Sequence, residues 1–128
     1  MMIPEIRPLR QEDTELLSDF HFPWSTKQET MEKWARYWEE QQKDKRIACV
    51  LEHQGKIAGY GDLLFHSEHP YFKRSGIPEI CDLWIFDDYR NKGMGTLLIT
   101  HLEQLAKHRG YRTVGIGVSS SSQKSTYY

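Results

Sequence analysis

The chain has 128 residues, 38% of them hydrophobic and 27% charged, with a formal net charge of −1 at neutral pH. That length supports one hydrophobic core and one domain, residues 1–128, and the interleaving of Lys and Arg with Asp and Glu excludes a basic field for nucleic acid. No run of about eighteen apolar residues is present, and Met1-Met2-Ile3-Pro4-Glu5 lacks the basic and apolar regions of a secretory leader, so a cytoplasmic protein with no membrane partner is expected.

In chain order, residues 5–9 read as a first strand and residues 11–20 as a helix with Leu16, Leu17 and Phe20 on one face. His21-Phe22-Pro23-Trp24 breaks the pattern. Ser25 with Gln28 reads as a capping box, opening a helix that carries Met31, Trp34, Ala35 and Trp38 on an apolar stripe and ends in the polar run 41–45. Trp34 and Trp38 are expected in the core. Residues 46–51 and 56–65 form two strands around the hairpin turn His53-Gln54-Gly55-Lys56, and residues 66–78, with two prolines and a glycine, form an excursion without an element. Strict alternation over the next strand, residues 79–86, puts Glu79, Cys81, Leu83 and Ile85 on one face and Ile80, Asp82, Trp84 and Phe86 on the other. A helix over residues 95–109 and a strand over residues 113–118 follow, and the serine-rich residues 119–128 are expected to be a flexible tail. Cys49 and Cys81 have no Cys or His partner at metal-ligand spacing, and His66-Ser67-Glu68-His69 lacks a third fixed ligand, so reduced thiols and no metal are expected.

The segment Arg90-Asn91-Lys92-Gly93-Met94-Gly95-Thr96 joins that strand to that helix. A Gly-rich turn opening a helix aims unpaired backbone N–H groups at one point, with the positive end of the helix dipole behind them. This is an anion cradle, to which Arg90 and Lys92 add charge. A dinucleotide fingerprint would need a small residue where Leu98 stands, and a P-loop would need Gly-Lys-Ser/Thr at its end. The pattern Arg-x-x-Gly-x-Gly instead resembles the Arg/Gln-x-x-Gly-x-Gly/Ala signature of the GNAT superfamily of acyl-CoA-dependent N-acetyltransferases. Asp82 to Tyr89 is similar to that family's fourth strand running into its pyrophosphate loop, and Thr96 to Tyr111 to its third helix and following turn.

The resemblance implies an α/β (α+β) fold, a mixed and mostly antiparallel twisted sheet flanked by helices, and acetyl transfer from acetyl-CoA to a primary amine of a small molecule or protein. It implies that the backbone of Asn91, Lys92, Gly93, Met94, Gly95 and Thr96, with Arg90 beside it, anchors the cofactor. Leu83, Trp84 and Ile85, which match a bulged stretch of the family's fourth strand, would pair with the pantetheine arm, and their N–H groups would polarise the thioester carbonyl. Glu79 precedes Gly95 by the spacing at which the histone-acetylating branch places its general base. Phe22 and Trp24 would line the acceptor pocket. After Val118 the residues do not resemble the family's fourth helix and closing strands, and Tyr127 and Tyr128 do not match its general acid. The expectation is therefore a C-terminally truncated fold whose fifth strand is an open edge, assembling as a homodimer. The alternative is a catalytically inactive module that binds acyl-CoA or a protein partner.

Overall fold

The computed structural model describes residues 3–20 and 22–116. The expected tail, with Tyr127 and Tyr128, and the end of the expected fifth strand lie outside the described residues. Five strands form one sheet in sequence order: β1 (Glu5–Pro8), β2 (Arg46–His53), β3 (Lys56–Leu64), β4 (Glu79–Ile85) and β5 (Gly115–Ile116). The first four are mutually antiparallel, and β5 runs parallel to β4. This is the mixed, mostly antiparallel sheet that the sequence led us to expect. Helices α1 (Gln11–Ser18) and α2 (Lys27–Gln42) cover one face; α4 (Met94–His108) covers the other, and α3 (Pro70–Ser75) lies in the segment between β3 and β4. No described helix is long and apolar enough to cross a membrane.

Each face has its own core. Leu17 of α1 and Trp34 and Tyr37 of α2 pack on Ala48, Val50 and Tyr60. Leu98, Leu102 and Ala106 of α4 pack on Leu51, Leu63, Ile80, Leu83 and Ile85. The hairpin between β2 and β3 turns through Gln54 (φ 54°) and Gly55 (φ 79°), the two positive angles that a tight hairpin of matching twist requires.

Three expectations need correction. The capping box of α2 is Thr26 with Glu29, one residue later than Ser25 with Gln28: Thr26 Oγ1 accepts from Glu29 N–H at 3.1 Å, and Glu29 Oε1 accepts from Thr26 N–H at 2.8 Å. Ser25 instead closes a short turn with Phe22, and its hydroxyl lies 3.1 Å from that of Thr30. The buried stripe of α2 is Thr30, Trp34 and Tyr37, while Met31 and Ala35 are exposed. The sheet below carries the buried Arg46 and Asp62, and the Tyr37 ring, 4.0 Å from the Arg46 guanidinium, covers that pair where an aliphatic side chain would not. Third, residues 66–78 are not without an element, since Pro70 starts the single-turn helix α3 that ends at Gly76 with φ 67°.

A further correction concerns β4. Tyr60 pairs with Trp84 and Asp62 with Cys81, so β4 spends three steps where β3 spends two. The extra residue is a bulge at Asp82, whose φ is +53°. Upstream of it Ile80 faces α4; downstream Leu83 and Ile85 do. Glu79 and Cys81 therefore lie on the opposite face from Leu83 and Ile85, because one inserted residue inverts the alternation.

Gly59 of β3 lies under this strand. A Cβ there would sit 2.6 Å from the Trp84 carbonyl oxygen and 2.7 Å from Ile85 Cδ1. Gly59→Ala is expected to cost about 1–3 kcal/mol by forcing β3 and β4 apart, read by chemical denaturation; unchanged stability would show that the contact relaxes freely. A pH dependence follows from Asp13. Burial favours its neutral form, but the Arg7 guanidinium at 2.7 and 2.9 Å and the Arg10 N–H at 2.7 Å outweigh this and hold the carboxyl below its ordinary range. A carboxyl depressed on folding stabilises above its unfolded pKa, and that stability disappears as pH falls through the folded value. Stability should therefore drop on acidification below about pH 4. Asp13→Asn should be less stable at neutral pH and show a shallower acid limb in urea titrations.

Candidate functional site

The site is built where β4 ends. Phe86 N–H donates to Ala58 O at 2.9 Å, so the backbone groups of Trp84 and Phe86 face β3 and those of Leu83 and Ile85 face the opposite side. On that side the pairing of β4 with β5 covers only Glu79 and Ile80. Beside Leu83 and Ile85, among the described residues, no strand takes their N–H groups. The row is shaped to accept an extended, hydrogen-bonding arm.

A single 3₁₀ turn, Asp87–Tyr89, leads from β4 into the glycine loop. Asn91 (φ 62°) and Gly93 (φ 79°) are both left-handed, which turns the intervening amides toward a common side. Gly93 is the N-cap of α4, and the first-turn N–H groups of Met94, Gly95 and Thr96 have no intrahelical acceptor. Met94 is buried and anchors the helix start. The row of strand amides and this cradle lie at consecutive points of one chain segment, so a molecule with an amide-bearing arm and a phosphate can meet both.

Arg90 does not extend from the loop. Its Nε donates to Ile85 O at 2.7 Å, its guanidinium stacks 4.4 Å from the Trp84 ring, and Nη1 lies 3.3 Å from Asp87 Oδ1. It ties the loop to the strand. Lys92 Nζ likewise donates to Asp88 O at 3.1 Å.

On the α1/α2 face a cavity of about 940 Å³ opens beside the same stretch. Phe20, Phe22, Trp24, Trp84, Phe86 and Tyr89 wall it, with Arg7, Asp13, Glu52, Lys56, Asp87, Asp88 and Arg90 supplying charge. Phe22 is buried and Trp24 is 59% exposed; Trp24 meets Trp84 edge-on at 5.0 Å, and Phe20 stacks on Phe86 at 4.2 Å. Leu16 and Phe20, which the sequence pattern puts on one face with Leu17, line this cavity, while Leu17 is buried in the core.

The structure thus brings Phe22, Trp24, Trp84 and Arg90 around one cavity, and Leu83, Ile85 and residues 91–96 along the adjoining strand and loop. Glu79 stands at the other end of β4, half-buried, accepting a hydrogen bond from Ser67 Oγ at 2.6 Å. Asp82, at the bulge, accepts from Tyr37 Oη at 3.2 Å and pairs with Lys33 Nζ at 2.9 Å. Lys33 was invisible to the sequence reading because a lone lysine on an amphipathic helix carries no signal until its register on the sheet is known. Burial first, and the Asp62 carboxylate second, push the Tyr37 phenol far above its ordinary range. Tyr37 is therefore a fixed hydrogen-bond donor to Asp82. Burial pushes the Cys49 thiol up to about 12 and the Cys81 thiol higher still, so neither is a thiolate at neutral pH. Among the described residues, no group of three or more His, Cys, Asp or Glu side chains is placed to hold a metal ion.

The comparisons with known proteins agree with this architecture. A glucosamine-6-phosphate N-acetyltransferase from Arabidopsis thaliana matches with a TM-score of 0.63 and 24% identity, over 93% of this chain and 84% of that one. An acetyltransferase of Trypanosoma brucei matches with a TM-score of 0.63 and 26% identity, over 94% and 86%. An aminoglycoside N-acetyltransferase in complex with CoA matches with a TM-score of 0.75 and 15% identity, over 94% and 80%. No curated protein sequence matches the chain. The sequence profile of the acetyltransferase (GNAT) family matches residues 6–127, and with strand bulge, glycine loop and helix in the family's order, the chain belongs to that family.

Proposed function

We propose that this protein transfers an acetyl group from acetyl-CoA to a primary amine, by direct attack within a ternary complex. The observation that carries the reading is the row of strand amides at Leu83 and Ile85, without strand partners among the described residues, continuing into the left-handed glycine loop at the start of α4. A CoA pyrophosphate suits amides at a helix N-terminus, and a pantetheine arm suits an unpaired strand edge. The N–H of Leu83 is placed to donate to the thioester carbonyl, where negative charge develops during attack. The aromatic cavity on the α1/α2 face takes the body of the acceptor, and its walls exclude water from the reacting end.

The amine must lose a proton before it attacks, since an ordinary lysine-like amine with pKa near 10.4 is charged at neutral pH. Two carboxylates of β4 compete for this role. Glu79, the base the family spacing implies, stands three residues upstream of the bulge and is engaged by Ser67, so it would act through water. Asp82 adjoins Leu83 directly and already holds an ammonium group, that of Lys33. We assign the base to Asp82 on that contact. With both thiols held protonated, Cys49 buried and Cys81 hydrogen-bonded to Asp62, the chain offers no cysteine nucleophile for a covalent acyl-enzyme.

Two measurements test this. Gly93→Asp introduces a residue that tolerates a positive φ and places a carboxylate over the first-turn amides, where a Cβ meets no protein atom within 4 Å. The fold should persist and CoA affinity should fall about 10–100-fold by calorimetry through charge repulsion; unchanged affinity would remove the phosphate site from this loop. Asp82→Asn should lower acetyl transfer to a mixed pool of amines by about 10²–10⁴-fold near neutrality, with the deficit shrinking as pH rises and free amine accumulates. A comparable loss in Glu79→Gln, with Asp82→Asn unaffected, would return the role to Glu79.

A further inference from the structure

We propose that Lys33 is an intramolecular acyl acceptor, so that the protein acetylates its own Lys33 Nζ. The inference rests on the acyl-CoA reading above and adds to it a modification site on α2. Lys33 is set apart from the chain's surface lysines by its surroundings. Its side chain is only 22% exposed, whereas those of Lys27 and Lys43 are 69% and 57% exposed and pair with Asp19 and Glu39 at the surface. The ammonium lies 4.8 Å from the ring centroid of Trp34, 5.2 Å from Tyr60, 5.7 Å from Phe22 and 5.8 Å from Tyr37. Four rings and one carboxylate hold it, a setting that fixes a cation in place.

The place matters more than the cage. Asp82 Oδ2, 2.9 Å from Lys33 Nζ, belongs to the bulge residue, and the next N–H along the chain is that of Leu83, which faces the gap beside β4. Counting bond lengths from Oδ2 to that nitrogen, Nζ is no more than about 10 Å from the group assigned to hold the thioester carbonyl. A four-carbon stem covers the remainder by rotamer change. Phe22 belongs both to this cage and to the wall of the 940 Å³ cavity, so cage and cavity share that ring. An external amine that used Asp82 would have to displace Lys33 from that carboxylate. Tethering gives Lys33 the advantage of an intramolecular reactant.

The step balances without a further reagent. Asp82 Oδ2 takes one ammonium proton and passes it to solvent; the nitrogen lone pair then forms a bond to the thioester carbonyl carbon. As the C–S bond breaks, the CoA sulfur leaves and takes the second proton lost from nitrogen. The products are an amide at Lys33, free CoA thiol and one proton. The neutral amide can no longer form an ion pair with Asp82, which frees that carboxylate.

The test incubates the full chain with acetyl-CoA and follows each lysine by peptide mass mapping, with CoA binding measured by calorimetry on the same sample. Lys33 should acquire an acetyl group about 10-fold or more faster than the more exposed Lys27 and Lys43, and Asp82→Asn, whose positive φ Asn tolerates, should slow Lys33 by about 10-fold or more. Acetic anhydride, a donor that needs no site, should reverse the order and modify Lys27 and Lys43 first. Lys33→Arg keeps a cation in the cage and should bind CoA without being acetylated at position 33. CoA binding with Lys33 unmodified, or modified no faster than Lys27, overturns the inference while leaving the acyl-CoA reading intact. Absence of CoA binding overturns that reading and the inference with it.

Discussion

One inserted residue in β4 organises the rest of this molecule. A strand without a bulge would hydrogen-bond to both neighbours along its length and keep each side chain on a fixed face. The left-handed Asp82 breaks both rules at one point. Downstream of it, Leu83 and Ile85 join the α4-side core while their N–H groups face a side where, among the described residues, β5 pairs with Glu79 and Ile80 alone. Upstream, Cys81 turns toward Asp62 and Arg46 on the α2 side. The bulge therefore converts a structural strand into one that has amides to offer, and it sets a carboxylate at the point of conversion.

Such a defect needs support, and both layers supply it. Gly61 of β3 leaves room beneath the bulge, since a Cβ there would lie 2.6 Å from Leu83 Cδ1. On the α2 side, Arg46 is buried against Asp62 and also donates to Glu40 Oε1 at 2.8 Å, so the charge is paired on two sides. Cys81 Sγ donates to Asp62 at 3.4 Å and Tyr37 covers the guanidinium. Buried charges are tolerated when each polar atom has a partner, and this group ties α2, β2, β3 and β4 together around the bulge. On the far side, Arg90 closes onto the Ile85 carbonyl, so that outward-facing acceptor of the strand is satisfied while, among the described residues, no strand takes the donors of Leu83 and Ile85. That asymmetry suits a ligand that brings carbonyl oxygens.

Much of this was legible in the sequence because it rests on local chemistry. Strand, glycine loop and helix are adjacent in the chain, and the positive φ at Gly93 is a demand the residue type announces. The hairpin at Gln54-Gly55 is legible for the same reason. What escaped was non-local. The family resemblance implies a bulge in this strand, but nothing in Cys81-Asp82-Leu83 places it at Asp82 or marks the inverted alternation; only the register against β3 does. The stripe of α2 was read one position off because hydrophobicity favoured Met31 and Ala35, while the sheet beneath offered a charged pair that a tyrosine covers better. Leu16 and Phe20 share a hydrophobic face with the buried Leu17, and a cavity wall and a core present identical residues until the layer above is placed.

The division of labour between the two faces explains why Arg90 can be conspicuous in the loop and yet not be its ligand-facing charge. A cation free in the cradle would be mobile and solvated, and would have to be ordered on binding at an entropic cost. Here Nε donates to Ile85 O, Nη1 lies 3.3 Å from Asp87 Oδ1, and the guanidinium plane is stacked on Trp84. Its effect on an anion then comes from fixed position, as the neighbouring backbone dipoles do. The same side chain forms part of the cavity wall, so the group that braces the glycine loop also shapes the cavity. A change at Arg90 is therefore not a clean probe of phosphate charge, because it alters loop, strand and cavity together.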